Sequence, residues 1–190
     1  MRIDAARNQA RILDVARRLV GSQGPEVAMD DIAREAGVAV GTLYRHFPTK
    51  AALVEAVVRD SIEQLADATE AALDRVEAGS DAATELADLF RLVARRHAVD
   101  AAVKEAAASL GAYSPEVGTP LTLEPGSQEA RVWKAIVRLI EIAVAAGLVR
   151  PDLTPLDLLV LVAGVPRDPV TPEVRDRYIE IVIDGLQARP

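Results

Sequence analysis

The chain has 190 residues, half of them hydrophobic, a net charge of −7, no cysteine and two histidines. That length gives one or two small domains with ample core, and without thiols there is neither a disulfide framework nor a thiolate metal centre. Two histidines with no carboxylates at ligand spacing leave no metal set. The longest uncharged apolar run, around 158–165, is far short of a membrane span, and no basic segment leads into an apolar run at the N-terminus. The expectation is a cytoplasmic protein without a secretory signal, with no cofactor and no catalytic centre.

In chain order, residues 5–23 carry an apolar stripe at Ile12, Val15, Ala16, Leu19 and Val20 and read as a helix that Gly24-Pro25 breaks. Met29, Ile32 and Ala36 then share one face of a short helix, with Asp30 and Asp31 at its positive end. Gly37 ends that helix in the left-handed conformation, and Val38 plugs the turn. A new helix starts near Val40 and runs to Phe47, where Pro48 stops it. Leu43 and Phe47 are four apart and point inward, which leaves Gly41, Thr42, Tyr44, Arg45 and His46 facing out. Ala33 is small enough for the two helices to cross closely. Two short helices joined in this way form a helix-turn-helix, whose second helix enters the major groove of duplex DNA.

A long helix follows from Thr49, a suitable N-cap, toward Glu77, with Leu53, Val57, Ile62, Leu65, Leu73 and Val76 on its buried side. After Gly79-Ser80 come 81–97 and 100–110, read as a helical pair bent near Val99, and then a loop at 111–126 that contains three prolines. Residues 128–146 are apolar over most of a helical circumference and read as a central helix. Thr154-Pro155-Leu156-Asp157 has the signature of a capped start, and a helix to about Val165 follows. Thr171-Pro172-Glu173 starts the last helix, which ends near Gln187. No strand pattern, repeat or low-complexity tract interrupts this all-α reading. An enzyme would show a nucleophile–base pair or a phosphate loop, and neither is present.

The acidic total conceals an asymmetry. Residues 1–50 carry eight Lys/Arg against six Asp/Glu, net +2; the remainder carries fourteen against twenty-three, net −9. A basic footprint is needed only on the face that meets DNA.

The run Gly41-Thr42-Leu43-Tyr44-Arg45-His46-Phe47-Pro48-Thr49-Lys50, preceded by Ile32-Ala33 and Ala36-Gly37-Val38, resembles the DNA-binding segment of TetR-like transcriptional regulators. The similarity extends upstream to Arg11-Ile12-Leu13-Asp14-Val15-Ala16. It appears in looser form at Ala145-Ala146-Gly147-Leu148-Val149-Arg150-Pro151-Asp152-Leu153-Thr154-Pro155-Leu156-Asp157-Leu158-Leu159. The resemblance implies a helix-turn-helix domain over 1–48 and a helical regulatory and dimerisation domain over 49–190. Two positions depart from the family pattern. Ala28 and Ala39 stand where many members carry a hydroxyl residue, which removes a cap and a phosphate contact at each.

By this resemblance the chain is a repressor released from a pseudo-palindromic operator by a small molecule. Its DNA-binding residues are Val40, Gly41, Thr42, Tyr44, Arg45, His46 and Lys50. Tyr44 and Lys50 serve as phosphate donors; Arg45 either reaches guanine edges or forms a surface ion pair. The last two helices pair with their copies in a homodimer through Leu156, Leu159, Val160, Ala163, Tyr178, Ile179, Val182, Ile183 and Leu186. An effector cavity would be lined by Phe90, His97, Tyr113 and Trp133, residues equally at home in ordinary packing. Arg95-Arg96-His97 reads as a solvated helix face or, failing that, an acidic-ligand site. The competing function is a helical protein-interaction module without ligand response; its mark would be a damaged recognition helix.

Overall fold

Nearly every segment between glycines and prolines in this sequence is rich in Ala, Leu, Arg and Glu, the residues that lose least on entering a helix. The computed structural model, described over residues 2–112, 123–167 and 170–188, is accordingly helical: α1 Arg2–Gln23, α2 Met29–Glu35, α3 Val40–His46, α4 Lys50–Glu77, α5 Ala82–Ser109, α6 Gln128–Ala145, α7 Pro155–Ala163 and α8 Pro172–Leu186. Among the described residues the nearest thing to a strand is one antiparallel bridge, Val149 with Gln187. No described helix is long and apolar enough to cross a membrane.

The starts of α4 and α7 follow their caps. The Thr49 hydroxyl accepts a hydrogen bond from the Ala52 amide at 3.1 Å. At α7 the Thr154 hydroxyl accepts from the Asp157 amide at 3.2 Å while Asp157 accepts from the Thr154 amide at 2.8 Å, and Pro155 takes the first helical position. Each of these was legible as a local pattern.

One expectation is corrected. The segments 81–97 and 100–110 are one uninterrupted helix, α5. Val99 and Asp100 are weak helix formers, but their penalties sum to no more than about 1.4 kcal/mol, and without Gly or Pro nothing breaks the hydrogen-bond ladder. Helix α6 is apolar over most of its circumference, as expected, and leaves one exposed stripe. Ala135, Leu139, Ile140 and Ala143 are buried, whereas Lys134, Arg138 and Glu141 are exposed and Trp133 is half-buried. The expected loop at 111–126 lies largely outside the described residues.

The chain divides into two compact units: Met1–Ser61 with Val99–Gly118, and Ile62–Ala98 with Thr119–Pro190. The first unit thus takes in the start of α4 and the end of α5 as well as the three N-terminal helices. Its interior holds Ile12, Ala16 and Val20 of α1, Ile32 and Ala33 of α2, Leu43 of α3, Leu53, Val54 and Val57 of α4, and Val103 and Ala107 of α5, all buried. In the second unit one cluster joins Ala72, Leu86, Phe90, Ala94, Leu139, Ala143, Leu158, Ile179 and Ile183. Ion pairs brace this unit at its surface. Arg91 makes a bidentate pair with Glu180 at 2.7–2.8 Å, Arg95 meets Asp176 at 3.2 Å, and Arg131 bridges Glu70 and Asp67 at 2.6 and 2.9 Å.

Candidate nucleic-acid interface

The candidate site is built on the turn between α2 and α3. Helix α2 ends with Ala36 as C-cap and Gly37 at φ +64°, a backbone conformation costly for any residue with a Cβ. The Val38 amide donates to the Ala33 carbonyl at 3.0 Å and the Gly37 amide to the Arg34 carbonyl at 3.1 Å. That pair of bonds is a Schellman motif, which satisfies carbonyls the helix would otherwise orphan. Helix α3 then begins at Val40 from an extended Ala39.

What holds α3 in place is its inner face. Leu43 is fully buried and Phe47 nearly so. With the phase of a seven-residue helix fixed by those two, Tyr44 is presented outward and is 44% exposed; Val40 shares the register of Leu43 and Phe47 but, as the first residue of the helix, is 41% exposed. Gly41 and Arg45 are also exposed, and Thr42 and His46 are half-buried. The His46 ring sits 6.2 Å from the Phe47 ring in a tilted arrangement, which anchors the imidazole beside the core residue. As the sequence suggested, Ala28 and Ala39 provide no side-chain cap to either helix.

Lys50 has a partner that sequence reasoning did not find. Its ammonium donates to the Pro25 carbonyl at 2.6 Å and is half-buried. An ammonium has three donors, so this bond ties the start of α4 to the turn before α2 and leaves two donors and the full charge. No sequence pattern announces such a bond, because its acceptor is a backbone oxygen 25 residues away.

The charges of the first unit sort by location. Arg17 pairs with Asp14 and Asp100, Arg18 with Glu35, and Arg34 with Asp31. Arg7, Arg11 and Arg45 form no ion pair with any described residue. The uncompensated cations are therefore on the first turns of α1, on α3 and at Lys50. A surface intended for solvent alone gains from pairing its charges; one that meets phosphates gains from leaving them open.

The described residues expected to line an effector cavity are not among those that line two clefts of the second unit. Phe90 is buried in the core cluster, and His97 and Trp133 are half-buried. Tyr113 lies outside the described residues. A cleft of about 390 Å³ in the second unit is lined instead by Asp81, Thr84, Leu86, Ala87, Arg91, Leu148, Val149, Ile183, Leu186 and Gln187. A smaller one of about 200 Å³ lies between Ala68, Arg75, Glu85, Leu89 and Leu92. Arg95 and Arg96 are engaged within the unit, Arg95 by Asp176 and Arg96 by Gln64 at 3.1 Å. Both therefore hold partners within the second unit.

The proposed dimer residues fall into two groups. Leu156, Leu159 and Val160 are 50%, 56% and 61% exposed, Ala163 is exposed, and Tyr178 and Val182 are half-buried. Ile179, Ile183 and Leu186 instead face their own unit's core. The wide apolar band on α8 has two faces, and the outer one belongs to Val174 and Ile181, 53% and 59% exposed. Tyr178 bridges to α7, its hydroxyl donating to the Leu161 carbonyl at 3.3 Å.

Residues 12–57 match the family model described as "Bacterial regulatory proteins, tetR family", and residues 81–188 match the model "Transcriptional regulator SbtR-like, C-terminal domain". A TetR transcription regulatory protein from Mycobacterium vanbaalenii is 34% identical, with 98% of this chain and 99% of that one covered and a TM-score of 0.75. A TetR transcriptional regulator from Streptomyces coelicolor is 30% identical over 96% of this chain and 99% of its own, TM-score 0.72. An HTH-type transcriptional regulator of Staphylococcus aureus is 41% identical over 64 residues, a third of this chain and 35% of that relative's length.

Proposed function

The chain belongs to the TetR family of bacterial transcriptional regulators, helix-turn-helix DNA-binding proteins and not enzymes, and on that premise we propose that it is a cytoplasmic repressor that binds a pseudo-palindromic operator as a homodimer and is released by a small molecule. The observation that carries the reading is the outer face of α3. Val40, Gly41, Thr42, Tyr44, Arg45 and His46 stand open or half-open on a helix locked in phase by buried Leu43 and Phe47, beside cations left without carboxylate partners. Tyr44 and Lys50 hold phosphates, Arg45 and His46 approach base edges, and the segment 1–48 does the reading while 49–190 regulates and dimerises.

One helix of seven residues reads too few base pairs to select a site in a genome, and two copies related by a two-fold axis double the site. The exposed apolar residues Leu156, Leu159 and Val160 on α7, with Val174 and Ile181 on α8, support the second copy, because such groups are costly to leave in water. The cleft of about 390 Å³ supports the effector, since it falls within the volume range of small-molecule sites.

Selection from random duplexes, followed by footprinting, tests this directly. The expected result is an enriched site with two inverted half-sites about one helical turn apart, and sedimentation showing a dimer at micromolar protein. No enrichment together with a monomer would refute it.

A further inference from the structure

We propose that Arg11, on α1 and outside the helix-turn-helix proper, is a further DNA-backbone contact of the interface, a reading that rests on the function proposed above. A Cβ at Gly37 would stand 2.6 Å from the Arg11 Nη2 and 3.7 Å from its Cζ. The guanidinium therefore lies beside the turn between α2 and α3, next to Gly37, whose φ of +64° favours glycine. Two residues on, the chain reaches Ala39 and the start of α3. Arg11 thus reaches, from a different element, the turn that leads into the recognition helix.

Its charge has been left open. Four carboxylates of the same unit are committed elsewhere: Asp14 and Asp100 to Arg17, Glu35 to Arg18, and Asp31 to Arg34. Arg11 is exposed and forms no ion pair with any described residue. One helical turn earlier on the same face is Arg7, also exposed and unpaired. Like charges four apart destabilise a helix, so this arrangement favours an external anion over the free surface. The planar guanidinium fork matches two oxygens of a phosphate in a way an ammonium does not. The competing role is local. A cation over the last turn of α2 faces the negative end of that helix, although the Schellman bonds already satisfy its carbonyls.

The test uses the full chain and two probes, a mixed-sequence synthetic duplex and the best duplex from selection, with affinity measured by anisotropy across a KCl series. Replacing Arg11 by Gln is expected to flatten the log affinity–log salt slope by about one unit on both probes, while Arg11→Lys keeps the slope. Phenylglyoxal modification of the unaltered protein, mapped by mass spectrometry, is expected to show Arg11 shielded by the mixed duplex. This measurement stands even if the Gln variant fails to fold. An unchanged slope in a folded Arg11→Gln protein, or modification of Arg11 undiminished by bound duplex, would overturn the proposal and leave Arg11 as a brace for α2. Such a result together with a weakened Tyr44→Phe variant would sink this inference alone. No salt-dependent duplex binding by the unaltered protein would sink it along with the function on which it rests.

Discussion

Gly21 sits within α1, two residues from its end, where a glycine is normally a defect. Replacing it with Ala in an open helix gains up to about 1 kcal/mol of helix propensity, less near a terminus. Here the space is taken. A Cβ at position 21 would stand 2.6 Å from the Val99 Cγ1 of α5, with the Val99 carbonyl oxygen and Cα at 3.3 and 3.4 Å. Carbon atoms prefer separations of about 3.5–4.0 Å, so one group must retreat by roughly 1 Å. Val99 cannot simply rotate away, because a β-branched side chain in a helix has one strongly preferred χ1. Both residues belong to the same compact unit, so the strain falls on the packing of α1 against α5.

Overpacking of this kind costs about 1–3 kcal/mol. Set against a propensity gain below about 1 kcal/mol, Gly21→Ala is expected to destabilise by about 1 kcal/mol. For a chain of this size that lowers the thermal midpoint by about 2–4 °C. In a Val99→Ala background the Cγ1 is gone and the same substitution is expected to be neutral or stabilising. The double-mutant cycle then gives a coupling of about 1–2 kcal/mol, read from thermal unfolding of the four proteins. If Gly21→Ala stabilises the unaltered background, or shifts both backgrounds equally, the close approach of α1 and α5 is not what excludes a side chain at 21.

Ala39→Ser is expected to stabilise by about 0.5–1 kcal/mol, since Ala39 is exposed, already has the extended backbone of an N-cap and offers no side-chain acceptor; a thermal midpoint that fails to rise would refute the capping argument. Leu159→Glu is expected to convert the proposed dimer to monomer with little loss of helicity, because the residue is 56% exposed; sedimentation showing an unaltered dimer would place the interface elsewhere. Arg91→Met is expected to cost about 1 kcal/mol near neutral pH by removing the bidentate partner of Glu180. The Arg91 guanidinium holds the Glu180 carboxyl below its ordinary value of 4.5, so the pair's contribution is fully present above that value and is lost as pH falls through the lowered one. The stability difference between the two proteins is therefore expected to shrink on acidification below about 4.5, and a pH-independent difference would show that Arg91 acts by packing alone.

Local chemistry is what the sequence displays openly. Gly37, the Thr154–Asp157 capping box, the Thr49 cap and the inward pair Leu43 and Phe47 are each decided by residues within four positions of one another, and each is found where the pattern placed it. The errors come where the outcome depends on partners far along the chain. Val99 and Asp100 looked like a break because their propensities are poor, but a weak propensity is easily offset by packing, and α5 runs straight through them. The α8 band looked like one apolar face because its residues are alike in type. Ile179, Ile183 and Leu186 face inward and Ile181 outward because of which neighbours lie on each side.

The candidate interface divides along the same line. The outward residues of α3 follow from helical periodicity once Leu43 and Phe47 are buried, so Gly41, Tyr44 and Arg45 could be named from the sequence alone, whereas Thr42 and His46, named with them, are half-buried. What periodicity cannot supply is the state of the charges, because an arginine written in a sequence carries no sign of its partner. Arg17, Arg18 and Arg34 are as basic as Arg7, Arg11 and Arg45, yet only the first three are neutralised by nearby carboxylates. Counting charges gives residues 1–50 a net of +2, too small on its own to account for binding to a polyanion. Pairing concentrates that modest excess: the neutralised arginines drop out, and the open ones remain on the early turns of α1 and on α3, beside a Lys50 whose single bond to a carbonyl leaves its charge intact. Phosphate binding depends on how many counterions a surface displaces, and that number is set by the open cations and not by the total.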